Sequence, residues 1–264
     1  MQAVPVRVTV GRALACLFAV SWFVLPGFGV IDLSVTWSAA WPEVLEAGWG
    51  LFSSLIVGAS LLFLAARPGA SLPALAQLTI ATMSLVVAGA AAAEWRLLCF
   101  GAALALETAV VAVLLGQPLR GAVAGLRASR QSVSMSVTVL ALAGVLPWGA
   151  YALNMWDLNR QGQPSDVTVG VDHYSMQGAL ALAFVALTLL AAVRPDFWPF
   201  VPACAGIAAA YLGLVSLAWQ GTPGGLSTAW SLAAIVWGLA IAGTTTVPAY
   251  RHRRRMIVES GSLP

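Results

Sequence analysis

The 264-residue sequence has no lysine and few charges of any kind: 9% of its residues are charged, while 60% are hydrophobic. Without lysine there is no side-chain amine to act as a nucleophile or to form a Schiff base such as retinal requires. So little charge cannot coat a soluble globule, so the chain must be solvated by lipid. Cysteine is scarce as well. Cys16, Cys99 and Cys204 all lie in apolar stretches with no CxxC spacing, which excludes a disulfide framework or a thiolate metal site. There is no Gly-rich phosphate loop, no HExxH, no GxSxG and no haem-type histidine pair, so neither a metal nor another cofactor is expected. The missing lysine itself reads as the codon composition of a GC-rich bacterial genome.

What is present is a series of apolar runs, each long enough at a helical rise of about 1.5 Å per residue to cross a hydrocarbon core of about 30 Å. Eight are expected: 13–31, 48–66, 72–93, 97–115, 135–153, 176–193, 200–219 and 226–247. They lack the period-2 alternation of barrel strands, so the fold class is an all-α, polytopic membrane bundle, flanked by an N-terminal segment (1–12) and a basic tail (248–264). A cleavable signal peptide ending near Ser38-Ala39-Ala40 is disfavoured, because the first apolar run is long for such a segment.

The charges divide by side. Arg7, Arg12, Arg67, Arg120, Arg127, Arg130, Arg194, Arg251, Arg253, Arg254 and Arg255 fall at one set of span ends; only Arg96 and Arg160 fall at the other. Because arginine is retained on the cytoplasmic side, both termini are expected in the cytoplasm and the setting is the bacterial inner membrane. Asp32, Glu43, Glu46, Glu94, Asp157, Asp166 and Asp172 then face outward, at the end where most tryptophans also cluster. The terminal Arg251, Arg253, Arg254 and Arg255 would meet anionic lipids, and nothing supports nucleic-acid binding.

Val24-Leu25-Pro26 in the first span and Val145-Leu146-Pro147 in the fifth suggest two parallel four-helix halves, with Arg-Pro pairs at 67–68 and 194–195 in matching places. Proline removes a backbone donor, so both spans are expected to kink or unwind near their outer ends. The freed carbonyls would meet neighbouring helices or line a cavity.

The connection between spans five and six is the densest polar stretch, with Asn154, Asp157, Arg160, Asp166, Asp172, His173 and Gln177. Asn154 with Asp157, and His173 with Gln177, have helical spacing and would point inward together. Asp172 also suits an N-cap, and Arg160 can pair with Asp157. A single histidine is a poor transition-metal site but a natural proton-transfer group. Glu107 sits in mid-span, where a carboxylate must be paired, hydrated or protonated. Glu43 and Glu46 read as first-turn acids. Asp32 lies beyond the Pro26 kink.

The leading expectation is a protein that binds, and transports, a small ligand or cation at a polar outward-facing cavity. Its candidates are Glu107, Asp32, Asn154, Asp157, Asp166, Asp172, His173 and Gln177, with Pro26 and Pro147 as flexible walls. The alternatives are a scaffold or homo-oligomer packing through small-residue faces such as Ala205, Ala209, Gly238 and Ala242, and an outer-leaflet enzyme acting on a lipid-linked substrate through Asp172 and His173.

Overall fold

The computed structural model describes residues 5–38, 44–117, 133–163, 167–168, 170–197 and 199–244. The described residues are helical almost throughout. In order they form α1 (Val6–Phe23), α2 (Gly29–Val35), α3 (Val44–Ala66), α4 (Leu72–Ala92), α5 (Trp95–Leu114), α6 (Met135–Arg160), α7 (His173–Val193), α8 (Phe200–Ala218) and α9 (Thr228–Gly243). A minimal antiparallel ladder, β1 (Val167–Thr168) on β2 (Val171–Asp172), precedes α7.

Seven of these helices are long and apolar enough to cross a membrane. The eighth expected span appears as the 16-residue α9, and residues from Thr245 onward lie outside the described part. The peripheral helices present large apolar side chains outward: Leu106 on α5, Leu146 on α6 and Val236 on α9 are each about two-thirds exposed or more. In water such faces would drive aggregation; against lipid they are the solvated surface, so the chain is a membrane-embedded helical bundle.

Helices α3 and α7 form the centre. In each, 72% of the apolar window is buried, against 22% for α1 and 28% for α6. Small residues make that position accessible. Gly48, Gly50, Ser53, Ser54 and Gly58 on α3, and Gly178 with several alanines on α7, let neighbouring backbones come close.

The two prolines behave differently. The first span is broken: α1 stops at Phe23, the chain unwinds through Val24–Phe28 with Phe28 in a left-handed conformation (φ 54°), and α2 restarts at Gly29. Pro147, by contrast, sits inside an uninterrupted 26-residue α6, so of the expected kink or unwinding in the fifth span the unwinding does not occur. A single missing N–H is tolerated there because the helix continues on both sides. The first span has Gly27 and Gly29 just after its proline, where a Cβ would lie 2.5 and 2.8 Å from the Trp22 carbonyl oxygen, so their missing side chains let the broken chain pack back against the end of α1.

A second irregularity lies opposite that break. Residues Phe52–Gly58 of α3 form a π-helical segment, in which the Ala59 N–H donates to the Ser54 carbonyl five residues back. The buried Gln77 of α4 donates to the carbonyls of both Leu55 and Ile56, at 3.2 and 3.0 Å, supplying a partner where the ladder is shifted.

At the arginine-rich end, Arg12 donates to the Ala65 carbonyl at 2.7 Å, and Arg194 pairs with Asp196 at 2.6 Å while lying over the Phe197 ring. At the acid-rich end, Asn159 donates to the Ala92 carbonyl at 3.1 Å, joining the end of α6 to that of α4. Arg120, Arg127, Arg130 and the tail arginines lie outside the described residues.

Candidate functional site

The candidate site lies where the acid-rich ends of the two central helices meet. Asp172 caps α7, its carboxylate accepting from the Tyr174 N–H at 2.9 Å. This cap fixes the first turn of α7 and drives His173 inward, where the ring is fully buried and faces α3.

On α3, Glu46 occupies the first helical turn as its sequence position suggests, but it is not a surface residue. Only 6% exposed, it places Oε1 at 3.7 Å from His173 Nδ1. The Trp49 ring, three residues further along α3, lies beside the imidazole with centroids 5.7 Å apart. Burying a carboxylate and an imidazole away from water is costly unless they share charge or a proton, so this pair is the chemically loaded element of the bundle.

Gln177, one turn beyond His173, is also fully buried. Its amide N–H donates to the Tyr151 hydroxyl at 2.8 Å, and that hydroxyl donates to the Gly224 carbonyl. The Gln177 Oε1 packs directly on Gly48, where any Cβ would collide with it, and it has no hydrogen-bond partner among the described residues.

Glu107 stands apart. Half-buried on α5, it accepts a 2.7 Å hydrogen bond from the Trp22 indole N–H at the end of α1. Edge-to-face contacts of Phe100 with Trp22 and with Trp49, at 6.1 and 5.4 Å, connect that bond to the His173 neighbourhood through aromatic packing. Asp32, on α2, is 4% exposed.

The structure therefore brings together His173 and Gln177 and adds Glu46, Trp49 and Tyr151, which are not among the residues expected at the site. Asn154 and Asp157 do not join them. Both are exposed on α6, and Asp157 pairs locally with Arg160 at 3.2 Å. Their helical spacing is real, but the continuous α6 turns that face away from the bundle. Asp172 serves as a cap and Asp166 lies outside the described residues. Nor do His173 and Gln177 open to the surface: the polar mouth expected here is sealed. The signal for Glu46 was its company on α3, with Gly48, Trp49 and Gly50 following at once, a composition suited to a buried helix start.

A separate cavity of about 320 Å³ lies between α6 and α9, lined by Trp148, Tyr151, Trp230 and Trp237 among smaller residues. It is apolar, and Tyr151 is its link to Gln177. The small-residue faces of α8 and α9 pack on each other: a Cβ at Gly206 would lie 2.5 Å from the Gly238 carbonyl oxygen. Among the described residues no group of three or more His, Cys, Asp or Glu could hold a metal ion. Compared with protein-family models, curated proteins and solved structures, the chain shows no significant match to any.

Proposed function

We propose that this is a multi-pass inner-membrane protein that binds a small cation or proton at the Glu46, His173 and Gln177 cluster and carries it across the bilayer. The observation that carries this reading is the fully buried His173 ring within 3.7 Å of a buried carboxylate, between the two most enclosed helices. A buried acid beside a buried imidazole is costly to hold in a bilayer, and a structure that only needed packing would place apolar residues there. Gln177 Oε1 supplies an acceptor for an N–H or O–H of the bound species. Glu107 is the second protonatable group at membrane depth, linked to the first by the line of aromatic rings.

The arginine-rich ends lie in the cytoplasm, with the tail arginines on anionic lipid, and the sealed cluster faces the opposite side. Two four-helix halves form the bundle. Helix neighbours recur in support of this: α1 packs on α3 as α6 does on α7, α4 on α5 as α8 on α9, α1 on α5 as α6 on α9, and α4 on α7 as α8 on α3. The halves have diverged at their prolines, and the broken α1–α2 unit is the natural moving part.

The test is proton flux. Purified protein is reconstituted in liposomes enclosing a pH-sensitive dye, and a potassium diffusion potential is imposed with valinomycin. Wild-type protein should carry protons above the protein-free background, Glu46→Gln and His173→Ala should return flux to that background, and Asp157→Asn should leave it unchanged. Wild-type flux equal to that of empty liposomes would remove proton transport from the reading.

A further inference from the structure

We infer that the break between α1 and α2 is a binding site for a sodium-sized monovalent cation. The inference is separate from the Glu46 and His173 cluster and rests on different residues.

The break releases backbone oxygens inside a membrane-spanning unit. In a continuous helix the Trp22 carbonyl would accept from residue 26, but residue 26 is proline and has no N–H to give. The Phe23 carbonyl would accept from Gly27, but the Gly27 N–H donates instead to the Ser21 carbonyl at 2.9 Å. Irregular backbone at this depth persists where its polar groups find another use.

The π segment of α3 brings hydroxyls to the same place. Ser53 and Ser54 are buried, at 0% and 3% exposure, and neither hydroxyl has a hydrogen-bond partner among the described residues. Ser60, Thr79, Thr138 and Thr188 each satisfy their hydroxyl on a carbonyl one turn back; Thr108 and Ser216 are also unpartnered among the described residues, but singly, whereas Ser53 and Ser54 are adjacent. An unsatisfied buried hydroxyl costs about 1–3 kcal/mol, so two side by side call for a ligand.

These groups converge on Gly29. A Cβ at that position would lie 2.5 Å from Ser54 Oγ, 2.8 Å from the Trp22 carbonyl oxygen and 3.1 Å from Ser53 Cβ. Asp32 is three residues further along α2, hence on the face that Gly29 occupies, and is itself buried. The polar atoms at Gly29 are oxygens, the Ser54 hydroxyl and the released Trp22 carbonyl, with the Ser53 hydroxyl adjacent and the Asp32 carboxylate one turn along α2. Hard oxygen ligands without nitrogen or sulfur suit an alkali or alkaline-earth ion, and a single carboxylate in a low-dielectric setting balances one positive charge. Trp49 ties the site to the neighbouring cluster, since its indole N–H donates to the Gly27 carbonyl at 2.5 Å while its ring lies beside His173.

The experiment is direct binding of radioactive sodium to the purified full-length protein in detergent, with choline chloride holding ionic strength constant, and thermal stability read in parallel. Wild-type protein should bind sodium saturably and gain stability from it, and an equal concentration of potassium should displace little. The double variant Ser53→Ala, Ser54→Ala and the variant Asp32→Asn should each weaken sodium binding at least about tenfold. Should the double variant fail to fold, Ser54→Cys keeps the side-chain volume, replaces the oxygen, and should show the same loss. Absence of saturable sodium binding to folded wild-type protein, or undiminished binding in the serine variants, overturns the inference. Because the readout is binding in detergent and not flux, its failure is distinguishable from failure of the proton-transport reading.

Discussion

The indole N–H of Trp22 donates a 2.7 Å hydrogen bond to Glu107 Oε2, joining α1 to the middle of α5 across 85 positions of sequence. The donor stands at the last turn before the α1 break, and its own carbonyl is one of the oxygens that Pro26 releases. One residue thus holds the intramembrane acid on one side and borders the irregular backbone on the other.

That bond is measurable. Trp22→Phe removes the donor and keeps most of the ring, and Glu107→Gln keeps an acceptor. Interhelical hydrogen bonds in membranes average about 0.6 kcal/mol and reach about 1.7, so a double-mutant cycle of Trp22→Phe with Glu107→Ala should give a coupling in that range. Unfolding equilibria of the four proteins in mixed detergent would check it. Additive effects of the two substitutions would show that the contact contributes nothing.

Tyr151→Phe should be the costlier polar deletion. Its hydroxyl accepts from Gln177 and donates to the Gly224 carbonyl, so removing one oxygen strands two buried groups. The expected destabilisation is about 1–3 kcal/mol, read as a lower Tm in detergent, with helix content by circular dichroism unchanged.

Two glycine substitutions should differ in sign. A Cβ at Gly206 meets the Gly238 backbone carbonyl at 2.5 Å, and backbone cannot rotate aside as a side chain would, so Gly206→Ala should push α8 and α9 apart at about 1–3 kcal/mol. At Gly149, inside α6, nothing lies within 4 Å, so Gly149→Ala should be neutral or stabilising by about 0.5–1 kcal/mol through lower backbone entropy in the unfolded chain. Thermal denaturation of both variants tests the close approach of α8 and α9.

The pair at the arginine-rich end predicts a pH dependence. Hydrogen bonding from the Arg194 guanidinium holds the Asp196 carboxyl below its ordinary range. A depressed folded-state pKa means that the contribution is complete above the unfolded carboxylate value and is lost as pH falls through the folded one. The Tm gap between wild type and Asp196→Asn should therefore be constant from about pH 5 to 7 and should shrink below about pH 4. A gap that widened on acidification would contradict the assignment.

Much of this architecture is legible in the apolar runs. Six of the eight expected spans appear as full-length helices, and the first, expected at 13–31, is instead Val6–Phe23 followed by a break; a run of about 20 apolar residues has one stable state in lipid, the helix that satisfies its own backbone. The cap at Asp172 and the Asp157 and Arg160 pair were equally readable, since both are local. The site was not. Glu46 reads as an ordinary first-turn acid until α7 is laid against it, and Asn154 and Asp157 share a helix face that only the packed bundle shows to be outside.

By itself the sequence determined that this protein lives in a bilayer, where most of its helices lie along the chain and which of their ends gather arginine, because these follow from solvation of each segment alone. The tertiary structure decided that Pro26 breaks a helix while Pro147 does not, and that Glu46 meets His173 while Ser53 and Ser54 meet Gly29. Such outcomes depend on which helices become neighbours. In a chain whose spans are nearly all apolar, that choice is made by the fit of small residues against large ones over distances no local pattern encodes.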